Sequence, residues 1–209
     1  MKRGSCRALL ALLLSLAALA VDGLPVSAGL TVPVYGQRAA RWAHQGLGTD
    51  PIDTIGSSGC ALTAAAMVQG GFGYPISPDA LNGWLTQHGG YVENDLLLWR
   101  TAVLPTGGAV RWKWLHVPGM VPQLRTDDQD INDTPSATLA RHELDAGNLV
   151  VAEVRLHGAM HFVVLTGYRG ETFSINDPWF ADQTTLQGRY GAYAGAVHSA
   201  QVYYRPQSR

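Results

Sequence analysis

A short polar turn, Ser57-Ser58-Gly59, runs without a break into Cys60-Ala61-Leu62-Thr63-Ala64-Ala65-Ala66-Met67-Val68. Ala, Leu and Met are strong helix formers, and Gly70-Gly71 stands where a helix is expected to stop. Ser57 or Ser58 offers a hydroxyl that can accept from an unpaired N–H of the first helical turn. Cys60 is therefore predicted at or within one turn of a helix N-terminus. There the helix dipole and free N–H groups favour the thiolate over the thiol. The alternative is a small buried core cysteine, which is common for free Cys. The rest of the chain has to decide between them.

With 209 residues and 46% hydrophobic content, the chain can bury one full-sized core. Lys+Arg 15 against Asp+Glu 16 gives a net charge of -1, with no basic excess of the kind nucleic acid requires. The N-terminus is set apart: Lys2, Arg3 and Arg7 precede an uncharged Leu/Ala run from Ala8 to Ala20, the pattern of a secretory signal. Cleavage is expected after Ala28, with Ala20 as the other small-residue site, leaving 29–209 as the mature domain. The apolar run is short for a membrane span, so no stable membrane insertion is expected after its removal, and the protein is expected in the periplasm or secreted. Cys6 lies in the signal, so Cys60 would stand alone in a compartment where thiols normally pair. That favours a reactive role for it.

Along the mature chain, Val32 to Gln37 alternates like an edge strand, and Arg38 to His44 allows a helical turn or two around Trp42. Ser77-Pro78 starts a helix ending at Gly89-Gly90, and a short helix near Asn94-Asp95 would carry Leu96 to Trp99. Val110 to Val117 has the period-two alternation of a strand, closed by Pro118-Gly119. Asp127 to Asp133 reads as a solvated acidic loop, because the Gly and Glu of a calcium loop are missing. Thr134-Pro135 opens a helix ending at Gly147. Strands follow at Leu149–Leu156, His161–Tyr168, Thr172–Asn176 and Ala200–Tyr204. Helices first and an antiparallel sheet later is the α+β pattern.

His161, at the start of an apolar strand, is the candidate base for Cys60. His157 has metal-pair spacing to it, but Gly158 and the strand remove the helix that would align the two. Asp177 ends the next strand, so a hairpin can bring it beside His161 as the group that orients the ring. Asn176 is a second candidate; alternation sends the two to opposite faces, so only one can serve.

These pieces, in order, resemble a known family. Tyr35-Gly36-Gln37 with Trp42, Ile55 to Thr63 with Ala66-Met67, Leu144-Asp145-Ala146-Gly147, His161 to Tyr168 and Ile175-Asn176-Asp177-Pro178 are similar to the papain-like cysteine peptidases. Within them they resemble the domain related to bacteriocin-processing, double-glycine-leader peptidases, here alone and exported. The resemblance implies helices packed on an antiparallel sheet, with the nucleophile at a helix N-terminus. It implies Cys60 as nucleophile, His161 as general base and acid, Asp177 as its orienter and Gln37 as oxyanion-hole donor beside the Cys60 N–H. It places Trp179 over the His–carboxylate pair, where core packing accounts for it equally well. The implied partner is a peptide or protein substrate, with no metal and no organic cofactor. Transporter-linked members usually carry Asp-Cys-Gly, whereas this chain has Gly59-Cys60-Ala61 and no transporter domain, so the double-glycine leader does not carry over. Cell-wall amide hydrolysis or acyl transfer, and a non-catalytic binding module, are the other readings.

Overall fold

The computed structural model describes residues 29–114 and 135–206. The proposed signal sequence, the end of the Val110–Val117 strand with Pro118-Gly119, the Asp127–Asp133 loop and Thr134 lie outside them.

Near-continuous apolar runs such as Leu149–Val154 need cover on both faces, and the fold supplies it. The sheet has six antiparallel strands in the order β3-β8-β4-β5-β6-β7. These are β3 (Arg111–Trp114), β4 (Leu149–Leu156), β5 (Ala159–Arg169), β6 (Thr172–Asp177), β7 (Asp182–Thr185) and β8 (Ser199–Tyr204). One face packs on the N-terminal helices: α1 (Ile55–Ser58), α2 (Cys60–Gly71) and α3 (Pro78–Gln87), through Leu62, Met67, Leu81, Leu149, Val151 and Val164. The other face is covered by α4 (Ala137–Asp145), α5 (Leu186–Tyr190) and α6 (Tyr193–Ala196) around Val150, Val163, Phe173 and Ile175. The α+β expectation, N-terminal helices on a C-terminal antiparallel sheet, is what the structure has. The second helical layer, α4 to α6, comes from segments that sequence periodicity marked only at α4.

Several local expectations are corrected. The helix that Cys60 begins is not capped by Ser57 or Ser58: its N-cap is Gly59, with no side-chain cap, and the two serines close the preceding α1, whose cap is Thr54. Its Oγ1 accepts from Ser57 N at 3.1 Å while Ser57 Oγ accepts from Thr54 N at 2.9 Å, a capping box on the one-turn α1. Residues 96–99 do not form a helix. Glu93 and Asn94 turn left-handed (φ 48° and 79°), which folds Tyr91–Val92 (β1) back on Leu96–Leu97 (β2). A 3₁₀ helix, Thr101–Thr106, follows. Asn tolerates that conformation better than most residues, so the turn wins over helix propensity. Among the described residues, 32–37 join no ladder, and 38–44 make turns rather than a helix. The α4 helix starts later than Thr134-Pro135, with Ser136 Oγ accepting from Leu139 N at its N-cap.

Candidate active site

Helical hydrogen bonding breaks once between α1 and α2, at Gly59 (φ −81°, ψ 23°). Glycine is required there, because a Cβ would lie 2.5 Å from the Ile55 carbonyl oxygen. The break makes Cys60 the first residue of α2, so its N–H is one of the donors a helix leaves without an intrahelical partner. The Gly56 carbonyl is taken instead by Gln37, whose Nε2 donates to it at 3.2 Å. Cys60 is a free, half-buried cysteine, with Sγ 4.0 Å from the Ser58 carbonyl.

Gln37 is 1% exposed and held from both sides. Its N–H donates to the Pro178 carbonyl at 2.8 Å, and Trp42 Nε1 donates to the Gly36 carbonyl at 2.8 Å. Gly36 has no room for a side chain, since a Cβ would lie 2.6 Å from that of Ala181. The loop carrying Gln37 is thus pinned to the turn after β6. With one Nε2 hydrogen given to Gly56, the amide retains a second for the cleft that Gln37 lines.

His161 and Asp177 meet through a β-bulge. Near the hairpin turn Gly167 pairs with Ser174, but beyond the irregularity Leu165 pairs with Ile175 and Val164 with Asn176. The shift of one residue places Asp177 opposite Val163, on the same face as His161 and diagonal to it. His161 Nε2 donates to Asp177 Oδ1 at 2.9 Å. Asn176 is sent to the other face, where its Nδ2 donates to the Val32 and Pro33 carbonyls at 3.1 and 3.2 Å and anchors the entry segment.

Asp177 is fully buried. Burial pushes its carboxyl up, but the bond from His161, with those from Tyr190 and Arg189, outweighs that and holds it at about 2. The opposite balance holds at His161. Burial opposes the imidazolium, while the Asp177 bond and the adjoining Cys60 thiol raise its pKa to about 9. With Nε2 engaged by Asp177, Nδ1 is the nitrogen left for Cys60.

Cys60, His161, Gln37 and Trp179 line one open cleft of about 680 Å³, whose apolar wall includes Leu97, Trp99, Met160 and Phe162. Trp179 N–H donates to Asp177 Oδ1 at 3.0 Å, and the Arg38 guanidinium lies over its ring at 4.8 Å. The four sequence candidates, Gln37, Cys60, His161 and Asp177, therefore converge on one place. Sequence reading missed Arg189 and Tyr190, which donate to Asp177 from behind, and Asp182, which holds Arg189; no short motif marks them, because they lie on elements the sequence did not announce. At the edge of the cleft, ligand atoms of Asp50, Asp53 and Asp95 lie within 4.8 Å of one another. Asp50 Oδ1 accepts from Ile52 N and Asp53 N at 2.8 Å and Asp53 Oδ1 accepts from Ser58 Oγ at 2.6 Å, which ties two of the three into their own loop.

Comparison with known proteins agrees with this arrangement. Residues 30–207 match the model of the Peptidase_C39 like family. The chain belongs to that family. A crystal structure of a candidate C39-like peptidase from Bacillus anthracis superposes with a TM-score of 0.52 at 13% identity, covering 88% of this chain and all (100%) of that one. At that identity the likeness is one of fold. No curated protein matches the chain. Membership of the C39-like family and the shared fold point to a cysteine peptidase.

Proposed function

We propose that this C39-like chain is an exported thiol hydrolase that cleaves peptide bonds through an acyl-enzyme on Cys60. The observation that carries the reading is His161 set between the buried carboxylate of Asp177 and the Cys60 thiol at the wall of an open cleft. The arrangement suits proton exchange with Cys60: the buried Asp177 stabilises the imidazolium that forms when Cys60 gives up its proton. The thiolate then attacks the peptide carbonyl, the new C–S bond forms, and the C–N bond breaks as His161 returns the proton to the leaving amine. Water, deprotonated by His161, then attacks the thioester; a C–O bond forms, the C–S bond breaks, and the acid leaves as the Cys60 thiolate and the His161 imidazolium are restored. The developing oxyanion is met by the Cys60 N–H and the second N–H of Gln37. Export rests on the basic and apolar pattern of residues 1–28 alone.

The pH dependence of Cys60 alkylation by iodoacetamide tests the pair. A His161 held near 9 keeps a positive charge beside Cys60 well above the ordinary histidine range. Labelling is therefore expected to be fast well below pH 8 and to slow in His161→Ala. Slow labelling that ignores His161 would make Cys60 a packing residue. Gln37→Ala is expected to lower kcat by about 10²–10³ with little change in KM, as when one oxyanion donor is lost. An unchanged kcat would remove Gln37 from the oxyanion site.

A further inference from the structure

Asp177 stands directly opposite Asp182 in the β6–β7 ladder. Two carboxylates in that relation repel, and one of them is fully buried. Arg189, from the one-turn α5, lies between them. Its Nη1 and Nη2 donate to the two oxygens of Asp182, each at 2.7 Å, and Nη1 also donates to Asp177 Oδ2 at 3.1 Å. Tyr190, the next residue, donates its hydroxyl to the same Oδ2 at 2.6 Å. Asp177 thus has an oxygen facing the site, bonded by His161 and Trp179 N–H, and a far oxygen bonded, among the described residues, by Arg189 and Tyr190.

We propose that Tyr190 and Arg189 are positioning residues of this site: by saturating the far oxygen of Asp177 and offsetting its charge, they limit how strongly Asp177 holds the His161 proton. Every donor on Oδ2 draws charge away from Oδ1, and the fixed cation behind the carboxylate opposes a second cation on the imidazole in front of it. A buried aspartate without this backing would bind the imidazolium more tightly. That would make His161 a poorer acid toward the leaving amine, whose departure needs the proton back. The inference rests on the proposed role of His161. Among the described residues, the charged and titratable groups around the ring are Asp177 on β6, Cys60 on α2, Tyr190 and Arg189 on α5, and Asp182 on β7, with Asp95, Glu153 and His157 on the same cleft.

The test is an NMR titration of the His161 ring in the full mature chain, in a Cys60→Ala background that removes the thiolate's own pull. Tyr190→Phe is expected to raise the His161 midpoint by about half a unit, and Arg189→Gln by about one. Arg189→Lys, which keeps the charge, is expected to bring the midpoint back toward the parent. Midpoints equal to the parent's, or lower, in folded variants would overturn the proposal and leave these contacts as packing. Should Arg189→Gln fail to fold, Tyr190→Phe, which deletes one oxygen, decides alone. The readout needs no turnover, so it separates from the proposed function: iodoacetamide labelling that ignores His161 would sink the hydrolase reading whatever the titration gives.

Discussion

Cys60→Ala is expected to remove all peptide hydrolysis and leave the fold unchanged. The loss in kcat should be on the order of 10⁶, the scale seen when the nucleophile of a comparable triad is deleted, because the remaining groups act only through it. Stability should move by less than about 1 kcal/mol. Cys60 is half-buried, its Sγ lies 4.0 Å from the Ser58 carbonyl and beside His161, and Ala is the best helix former at the start of α2. Turnover of peptide substrates and thermal melting, measured on the same preparation, check both halves. Retained turnover would place the chemistry elsewhere; an unfolded variant would mean that the thiol is a packing group.

Asp177→Ala is expected to damage stability and activity together, in contrast to Cys60→Ala. Four donors converge on this buried carboxylate: His161 Nε2, Trp179 N, Tyr190 Oη and Arg189 Nη1. Removing the acceptor strands the His161, Trp179 and Tyr190 donors, while Arg189 keeps its two bonds to Asp182, at a cost of about 3–5 kcal/mol as for a broken buried ion pair. The pH profile of stability should change shape as well. In the parent, the depressed Asp177 contributes stability that is present above pH 3.8 and lost as pH falls toward about 2. The raised His161 contributes stability that is present below pH 6.5 and lost as pH rises through about 9. The variant should lose the acid flank with the carboxyl and much of the basic flank, since the Asp177 bond comes first among the contributions that raise His161 and only that of Cys60 remains. Melting temperatures across pH 2–10 for parent and variant would show this. A profile with both flanks intact would mean that the His161–Asp177 bond does not form in solution.

What could be read from the chain alone was local and chemical. Gly59-Cys60 before an Ala-rich run announced a thiol at a helix start, because helix propensity and glycine geometry act over a few residues. The apolar strands from Leu149 onward were visible because burial on both faces leaves uninterrupted hydrophobic runs. The turn at Glu93-Asn94 was not, because Leu96 to Trp99 satisfies a helical pattern and only the pairing of Tyr91 with Leu97 decides otherwise. The helices α5 and α6 were missed for a related reason: they are too short for periodicity to register and are held by the sheet beneath them.

The sequence by itself determined which residue types could do the chemistry: a lone thiol at a helix N-terminus, a histidine on an apolar strand, and a carboxylate or an amide at the end of the next. It favoured Asp177 over Asn176 but could not fix which of the two faces His161. Strand alternation assigns neighbours to opposite faces, but which face each takes depends on the register across the hairpin. The bulge between Leu165 and Gly167 shifts that register by one residue, turns Asp177 toward His161 and sends Asn176 to the carbonyls of Val32 and Pro33. Only the tertiary structure decided that, because a bulge is a property of two strands paired and of neither read alone.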